Sequence, residues 1–192
     1  MHPSQLAIFP LSSHILPSGR LPLRIFEARY IRMIAECSKN QTGFGIAMIN
    51  SNKQSDLGSI SPIATYVKII DFYHLKDGFL GLIVEGVHRF KIQQIEVEHD
   101  GLRRANIDFL PNWPQQPIHH KHQHLTEKLA DIFSEHPELD QLYAEGKQMN
   151  DSSWIAQRWL ELLPISVDQK QQLIIGSNSK LTLDLLTKLM AY

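Results

Sequence analysis

The sequence predicts an α+β protein: a curled antiparallel sheet or small barrel with one helix inserted near its beginning, followed by a C-terminal α-helical bundle. Three observations carry this. Short β-branched and aromatic runs, punctuated by glycine and Asp-Gly turns, fill residues 44–109. Pro111, Pro114 and Pro117 then interrupt the chain in quick succession. Beyond them every periodic signal has helical spacing. The expected lobes are residues 1–112 and 113–192.

Leu6-Ala7-Ile8-Phe9 is an uninterrupted apolar run that stops at Pro10, as a buried or edge strand would. A loop rich in serine, proline and glycine runs to Gly19 and leads into Leu21-Pro22-Leu23. From Phe26 the period lengthens. Phe26, Tyr30, Met33, Ile34 and Cys37 form one apolar stripe, which predicts a helix ended by Asn40 and Gly43. Residues 44–49 read as a strand, and the polar, turn-rich residues 50–62 as a long exposed loop. Residues 63–72 are apolar on both faces, as inside a barrel or sandwich. Lys76-Asp77-Gly78 predicts a hairpin with residues 79–85 as the return strand. Gly86 marks a bulge, and a slip of parity within residues 88–97 places a second near Gln93-Gln94. Asp100-Gly101 turns the chain into a last strand, where Ala105, Ile107 and Phe109 alternate.

In the second lobe, residues 120–136 place Leu125, Leu129, Ile132 and Phe133 on one helical face. Asp151-Ser152-Ser153 offers caps for a helix aligning Ile155, Trp159, Leu162 and Leu163 and ending at Pro164. Ser166-Val167-Asp168-Gln169 fits a capping box for a helix that stops at Gly176. Leu181, Leu185, Leu186 and Leu189 give the last helix its stripe.

The 192 residues are 43% apolar, enough for a sizeable core. A net charge of −1 creates no field to gather nucleic acid or anionic membrane. The halves differ slightly: 12 Lys and Arg face 10 Asp and Glu in residues 1–112, and 7 face 10 in residues 113–192. Cys37 is the only cysteine, so no internal disulfide can form, which suits a reducing compartment. The N-terminus lacks the basic and apolar regions of a signal peptide, and no run has the length to span a bilayer. A cytoplasmic location with no membrane partner is expected.

Several segments together resemble the N-terminal substrate-binding domain of Lon proteases. They are Ile8-Phe9-Pro10-Leu11, the stretch from Leu21-Pro22-Leu23-Arg24-Ile25 through Phe26-Glu27-Ala28-Arg29-Tyr30, and Phe44-Gly45-Ile46-Ala47. Ala64-Thr65-Tyr66-Val67, the Gly86…Arg89-Phe90 strand pair and the run from Trp159 to Val167 continue the series over nearly the whole chain. The resemblance implies a PUA-like β pseudo-barrel followed by a helical bundle, and a role in contacting protein substrates. Two departures stand out. The AAA+ motor and serine-lysine protease that follow this domain in Lon are not in the sequence, and Ala28 stands where the family often has proline.

No catalytic constellation is visible. Gly81 and Gly86 have phosphate-loop spacing without the Lys-Ser/Thr pair that would grip phosphate and magnesium. Cys37 lies on an apolar stripe, as an inert thiol does, and no G-x-S-x-G elbow occurs. His120 and His124 have metal-ligand spacing beside His119 and His122, but no carboxylate or thiol at similar spacing completes a set, so solvated histidines at a helix start are expected. Arg24, Glu27 and Arg29 at the strand-to-helix joint read as dipole and ion-pair stabilisation. Arg89, Lys91, Arg103 and Arg104 make a weak nucleic-acid footprint in a near-neutral chain.

The expected function is therefore a non-catalytic module, without cofactor or metal, that binds unfolded or exposed hydrophobic polypeptide segments, with a protease or chaperone as a further partner. Its candidate contact residues are Phe9, Leu11, Leu23, Tyr66, Phe72 and Tyr73, each of which taken singly reads as core-filling. The alternatives are a small-molecule site drawing on Trp113, Trp154 or Trp159, and RNA binding on the PUA-like fold.

Overall fold

A computed structural model describes residues 3–50 and 59–190; the centre of the expected 50–62 loop falls outside the described residues. The chain divides into two compact units, residues 1–111 and 112–192.

The first unit contains β1 (Gln5–Leu11), β2 (Arg20–Ile25), α1 (Ala28–Asn40), β3 (Phe44–Met48), β4 (Ile63–His74), β5 (Leu80–Val97) and β6 (Arg103–Phe109). The sheet runs β2-β5-β4-β3-β1-β6, and β6 also pairs with β5, so five strands close into a ring with β2 added outside it. All pairings are antiparallel except β1 with β3. Two expected strands, residues 79–85 and 88–97, are one continuous β5. Its first half lies between β2 and β4, and its second half reaches β6.

Bulges bend β5 where the sequence predicts them. The pairing jumps from Tyr66↔His88 to Val67↔Gly86, leaving Val87 extra, and from Ile92↔Ile107 to Gln94↔Asn106, leaving Gln93 extra. Such bends let a single long strand serve two parts of a ring. Gly86 has a second duty. A Cβ there would lie 2.2 Å from the Leu16 carbonyl oxygen, and its backbone exchanges bonds with Ser18 and Gly19.

Both faces of β1 are apolar because each meets its own core. Ala7 and Phe9 pack with Leu23, Ile25, Met33, Ile34, Phe44 and Leu82, whereas Leu6 and Ile8 pack with Tyr66, Phe90, Ile92 and Ile107. Pro10 does not stop the strand. It lies past the last β1–β6 pair, Ile8↔Arg103, where β1 has an open edge and proline is tolerated.

Tyr30, Met33, Ile34 and Cys37 are buried along α1 as the periodicity predicts. Phe26 is the exception. The backbone is still extended at Glu27, the N-cap, so Phe26 lies just past the end of β2 and before the helix, and is 58% exposed. Gln41, not Asn40 or Gly43, closes the helix, in the left-handed conformation at φ 51°.

The second unit begins with a 3-10 turn, His120–His122, and continues through α2 (Gln123–Glu135), α3 (Pro137–Leu142), α4 (Ser152–Leu162), α5 (Val167–Ile174) and α6 (Lys180–Leu189). Asp151 caps α4 by accepting from the Ser153 and Trp154 amides. The Ser166–Gln169 capping box opens α5 as expected. Phe133, Tyr143 and Trp154 form an aromatic cluster with centroids 5.4–6.1 Å apart. Two expected stripes match the packing only in part: Ile155 and Trp159 of α4 and Leu186 of α6 are buried as expected. Leu162 is 41% exposed at the end of α4, and α6 buries Thr182, Leu183 and Leu186 while Leu181 and Leu189 face outward.

Candidate functional site

The β2-β5-β4 part of the sheet presents an aromatic face to solvent. Register sets its rows: Arg20, Glu85 and Lys68 lie side by side, then Pro22, Ile83 and Asp71, then Arg24, Gly81 and Tyr73. Directly opposed residues point to the same side, so these rows share one face. The Tyr73 ring lies over Gly81, where a Cβ would come within 2.4 Å of it. Just past the strand ends, Phe26 and Phe79 meet edge to face at 6.1 Å. The Arg24 guanidinium lies 4.6 Å from the Phe79 centroid and pairs with Asp77 at 2.8 Å. Aromatic rings at the centre with polar groups at the rim are a common composition of protein-contact surfaces.

Beside this face runs the outer edge of β4. Pairing with β3 involves only Thr65, Tyr66 and Val67, so no strand among the described residues lies along β4 beyond Val67. Ile70 bulges there, Ile70 and Phe72 are exposed, and the Asp71 carboxylate accepts from the Phe72 amide at 2.8 Å. A bulge and a carboxylate capping an edge donor both discourage uncontrolled strand pairing.

The sequence-derived contact residues fall in three places. Phe9, Leu23 and Tyr66 are in the core, at 7%, 6% and 7% exposure. The Tyr66 hydroxyl also accepts from the Gly43 amide at 2.8 Å, so its side chain is committed to holding β3 and β4 together. Leu11 is half-buried against the α1 side of the core. Tyr73 belongs to the aromatic face, and Phe72, paired opposite Leu82, points to the other side at the sheet's margin. Phe26 and Phe79 were not singled out by the sequence. The signal for Phe79 is an aromatic placed directly after the Lys76-Asp77-Gly78 turn; for Phe26, helical spacing masks it.

Most of the other charged candidates are engaged within the first unit. Arg32 pairs with Glu36, Glu98 and Asp100, and Arg104 pairs with Glu36 and Glu98, tying α1 to the β5–β6 hairpin. Arginine bonds hold the Glu36 and Glu98 carboxyls below the usual range, those from Arg104 foremost. Arg29 pairs with Glu27 at 2.6 Å and donates to the Gly101 carbonyl. Arg89 is buried, donates to the Pro111 carbonyl at 2.5 Å, and is pushed down to about 10 by desolvation. Of the four cations in the nucleic-acid footprint, one is thus interior and one carboxylate-bound.

Among the described residues no three His, Cys, Asp or Glu side chains gather as metal ligands. His119 accepts from the Lys121 amide and caps the 3-10 turn. His122 is buried, its Nδ1 2.9 Å from the Thr187 hydroxyl, and burial lowers its pKa. Cys37 is buried, lies 3.4 Å from the Gly43 carbonyl oxygen, and has its thiol pushed up by desolvation. Trp113, Trp154 and Trp159 are all buried, and the indoles of Trp113 and Trp159 donate to the Gly176 and Leu125 carbonyls.

The family described as the ATP-dependent protease La (LON) substrate-binding domain matches residues 5–191. The chain belongs to the Lon substrate-binding domain family. Its fold is that of the Lon N-terminal domain. The Lon N-terminal domain protein from Xanthomonas campestris superposes with a TM-score of 0.74 at 26% identity, covering 95% of this chain and 96% of that one. The N-terminal domain of the Mycobacterium avium complex Lon protease, at 15% identity and covering 96% of each chain, shares the fold with a TM-score of 0.61. The Lon protease of Cytophaga hutchinsonii is 25% identical over 146 residues, which are 72% of this chain and 18% of that protease.

Several residues of the segments that carry the Lon resemblance are architectural here. Phe9-Pro10-Leu11 lies in β1, Ala28 is the first residue of α1, and Gly86 and Arg89 flank the Val87 bulge. Of the stretch from Leu21 to Tyr30, however, Pro22, Arg24 and Phe26 lie on the aromatic face, whereas Tyr73 and Phe79 fall outside the segments that carry the resemblance. No helix among the described residues is long and apolar enough to cross a membrane.

Proposed function

We propose that this Lon-family domain is a non-catalytic module that recognises exposed hydrophobic segments of polypeptides, and that the aromatic face of β2-β5-β4 is its contact surface. One observation carries the placement: Phe26 and Phe79, 58% and 39% exposed, pack on each other with Arg24 and Asp77 beside them. Large apolar rings left in solvent cost hydration free energy, and a docking partner would recover it. Tyr73 extends the face, and Phe72 offers an apolar margin at the β4 edge. The family match supports a substrate-recognition role.

The test is binding of a permanently reduced and alkylated unfolded protein to the intact chain and to a Phe26→Ser/Phe79→Ser variant. Both side chains are surface groups, so the variant keeps its thermal midpoint. Its affinity should fall at least ~10-fold, as expected when central aromatic anchors are removed. Equal binding by both proteins would sink this placement, and no binding by the native chain would sink the function itself.

A further inference from the structure

We propose that the helical unit carries a second docking groove, one that takes a basic amphipathic polypeptide segment, independently of the barrel's aromatic face. Where α2, α3 and α4 end or begin, a cavity of about 640 Å³ opens. Ile132, Pro137, Leu139 and Leu162 supply its apolar lining, Glu135 and Glu138 its rim, and His136 its corner. Leu162 is 41% exposed although α4 is buried from Ser152 through Leu160.

Charge identifies the occupant. Glu135 and Glu138 are exposed, and among the described residues no cation pairs with either. The groove's lining contains no lysine or arginine, and elsewhere in the unit Lys128 donates to the Met190 carbonyl, Lys147 pairs with Asp140, and Arg158 pairs with Glu161. The groove is bounded by helices, which offer no strand edge, so side chains must do the recognition. Apolar side chains that fill the cavity, flanked by lysine or arginine that reach the two carboxylates, meet both requirements.

The probe is a fluorescently labelled amphipathic peptide of leucine and lysine, compared by anisotropy with its leucine–glutamate counterpart on the full chain. The lysine peptide should bind at least ~10-fold more tightly, and more weakly as salt rises. Glu135→Lys/Glu138→Lys should reverse the preference, and Leu162→Ser should weaken binding of the lysine peptide ~10-fold. In the Phe26→Ser/Phe79→Ser background, which removes the barrel face as a competing site, the preference for the lysine peptide should persist. The proposal is overturned if the charge-reversed variant keeps the original preference, if neither peptide binds, or if the Phe26/Phe79 variant alone abolishes binding. The last result would place the peptide on the barrel face instead.

Discussion

At Gly43 the chain leaves α1 and enters β3 so close to β4 that a Cβ would lie 1.8 Å from the Val67 carbonyl oxygen and 2.9 Å from the Tyr66 ring. The first of these neighbours is backbone, so it cannot swing aside as a flexible side chain would. The Gly43 amide also donates to the Tyr66 hydroxyl at 2.8 Å, so a shift that relieves the clash stretches that bond. Gly43→Ala should therefore cost about 3 kcal/mol, near the top of the usual range for forced overpacking. Urea denaturation measures it directly. A loss under about 1 kcal/mol would mean that β3 moves away from β4 with little resistance. The contrast with Gly78 is instructive: its φ of 84° explains the glycine, yet nothing lies within 4 Å of a Cβ built there.

Among the elements, α1 and the β5–β6 hairpin are joined mainly by charge at their outer margin, through Arg32, Arg104, Glu36, Glu98 and Asp100. The Glu36 and Glu98 carboxyls are depressed chiefly by Arg104, and Asp100 chiefly by the Leu102 amide. A carboxyl whose folded pKa lies below its unfolded value adds stability that is complete above the unfolded pKa and disappears as pH falls through the folded one. The protein should thus lose stability on acidification below the ordinary carboxylate range, with no more than about 1 kcal/mol from each of Glu36 and Glu98 because solvent screens them. Arg32→Gln/Arg104→Gln should flatten this dependence when urea midpoints at neutral pH and at about pH 3 are compared. An undiminished acid dependence in that variant would show that other carboxylates are responsible. These charges were visible in the sequence only as scattered residues, since 66 positions separate Arg32 from Glu98. Local signals were better preserved. The capping box, the hairpin turn and both β5 bulges are written in adjacent residues and appear where expected. The short α3, with no buried residue, left no periodic trace. The phase of α6 was ambiguous because Leu181, Leu183, Leu185, Leu186 and Leu189 satisfy more than one stripe, and only packing selects Leu183 and Leu186.

At the scale of the whole molecule, the ring of strands closes within residues 1–111, where every strand finds its partners. The helical unit holds its own aromatic cluster of Phe133, Tyr143 and Trp154. We therefore propose that residues 1–112 and 113–192 are separate folding domains. The distribution of tryptophan makes this testable, because Trp113, Trp154 and Trp159 all lie in the second segment. Tryptophan emission reports only the helical domain, while circular dichroism of fragment 1–112 reports only the barrel. Fragment 1–112 should unfold in one cooperative transition with a sheet spectrum. Fragment 113–192 should retain the blue-shifted emission of buried indoles and lose it cooperatively in denaturant. Both outcomes are required, since each fragment has its own buried residues and neither borrows a strand or helix from the other. If one fragment is unstructured alone, the two segments form a single folding domain, and the proline-rich stretch at 111–117 is a loop within it.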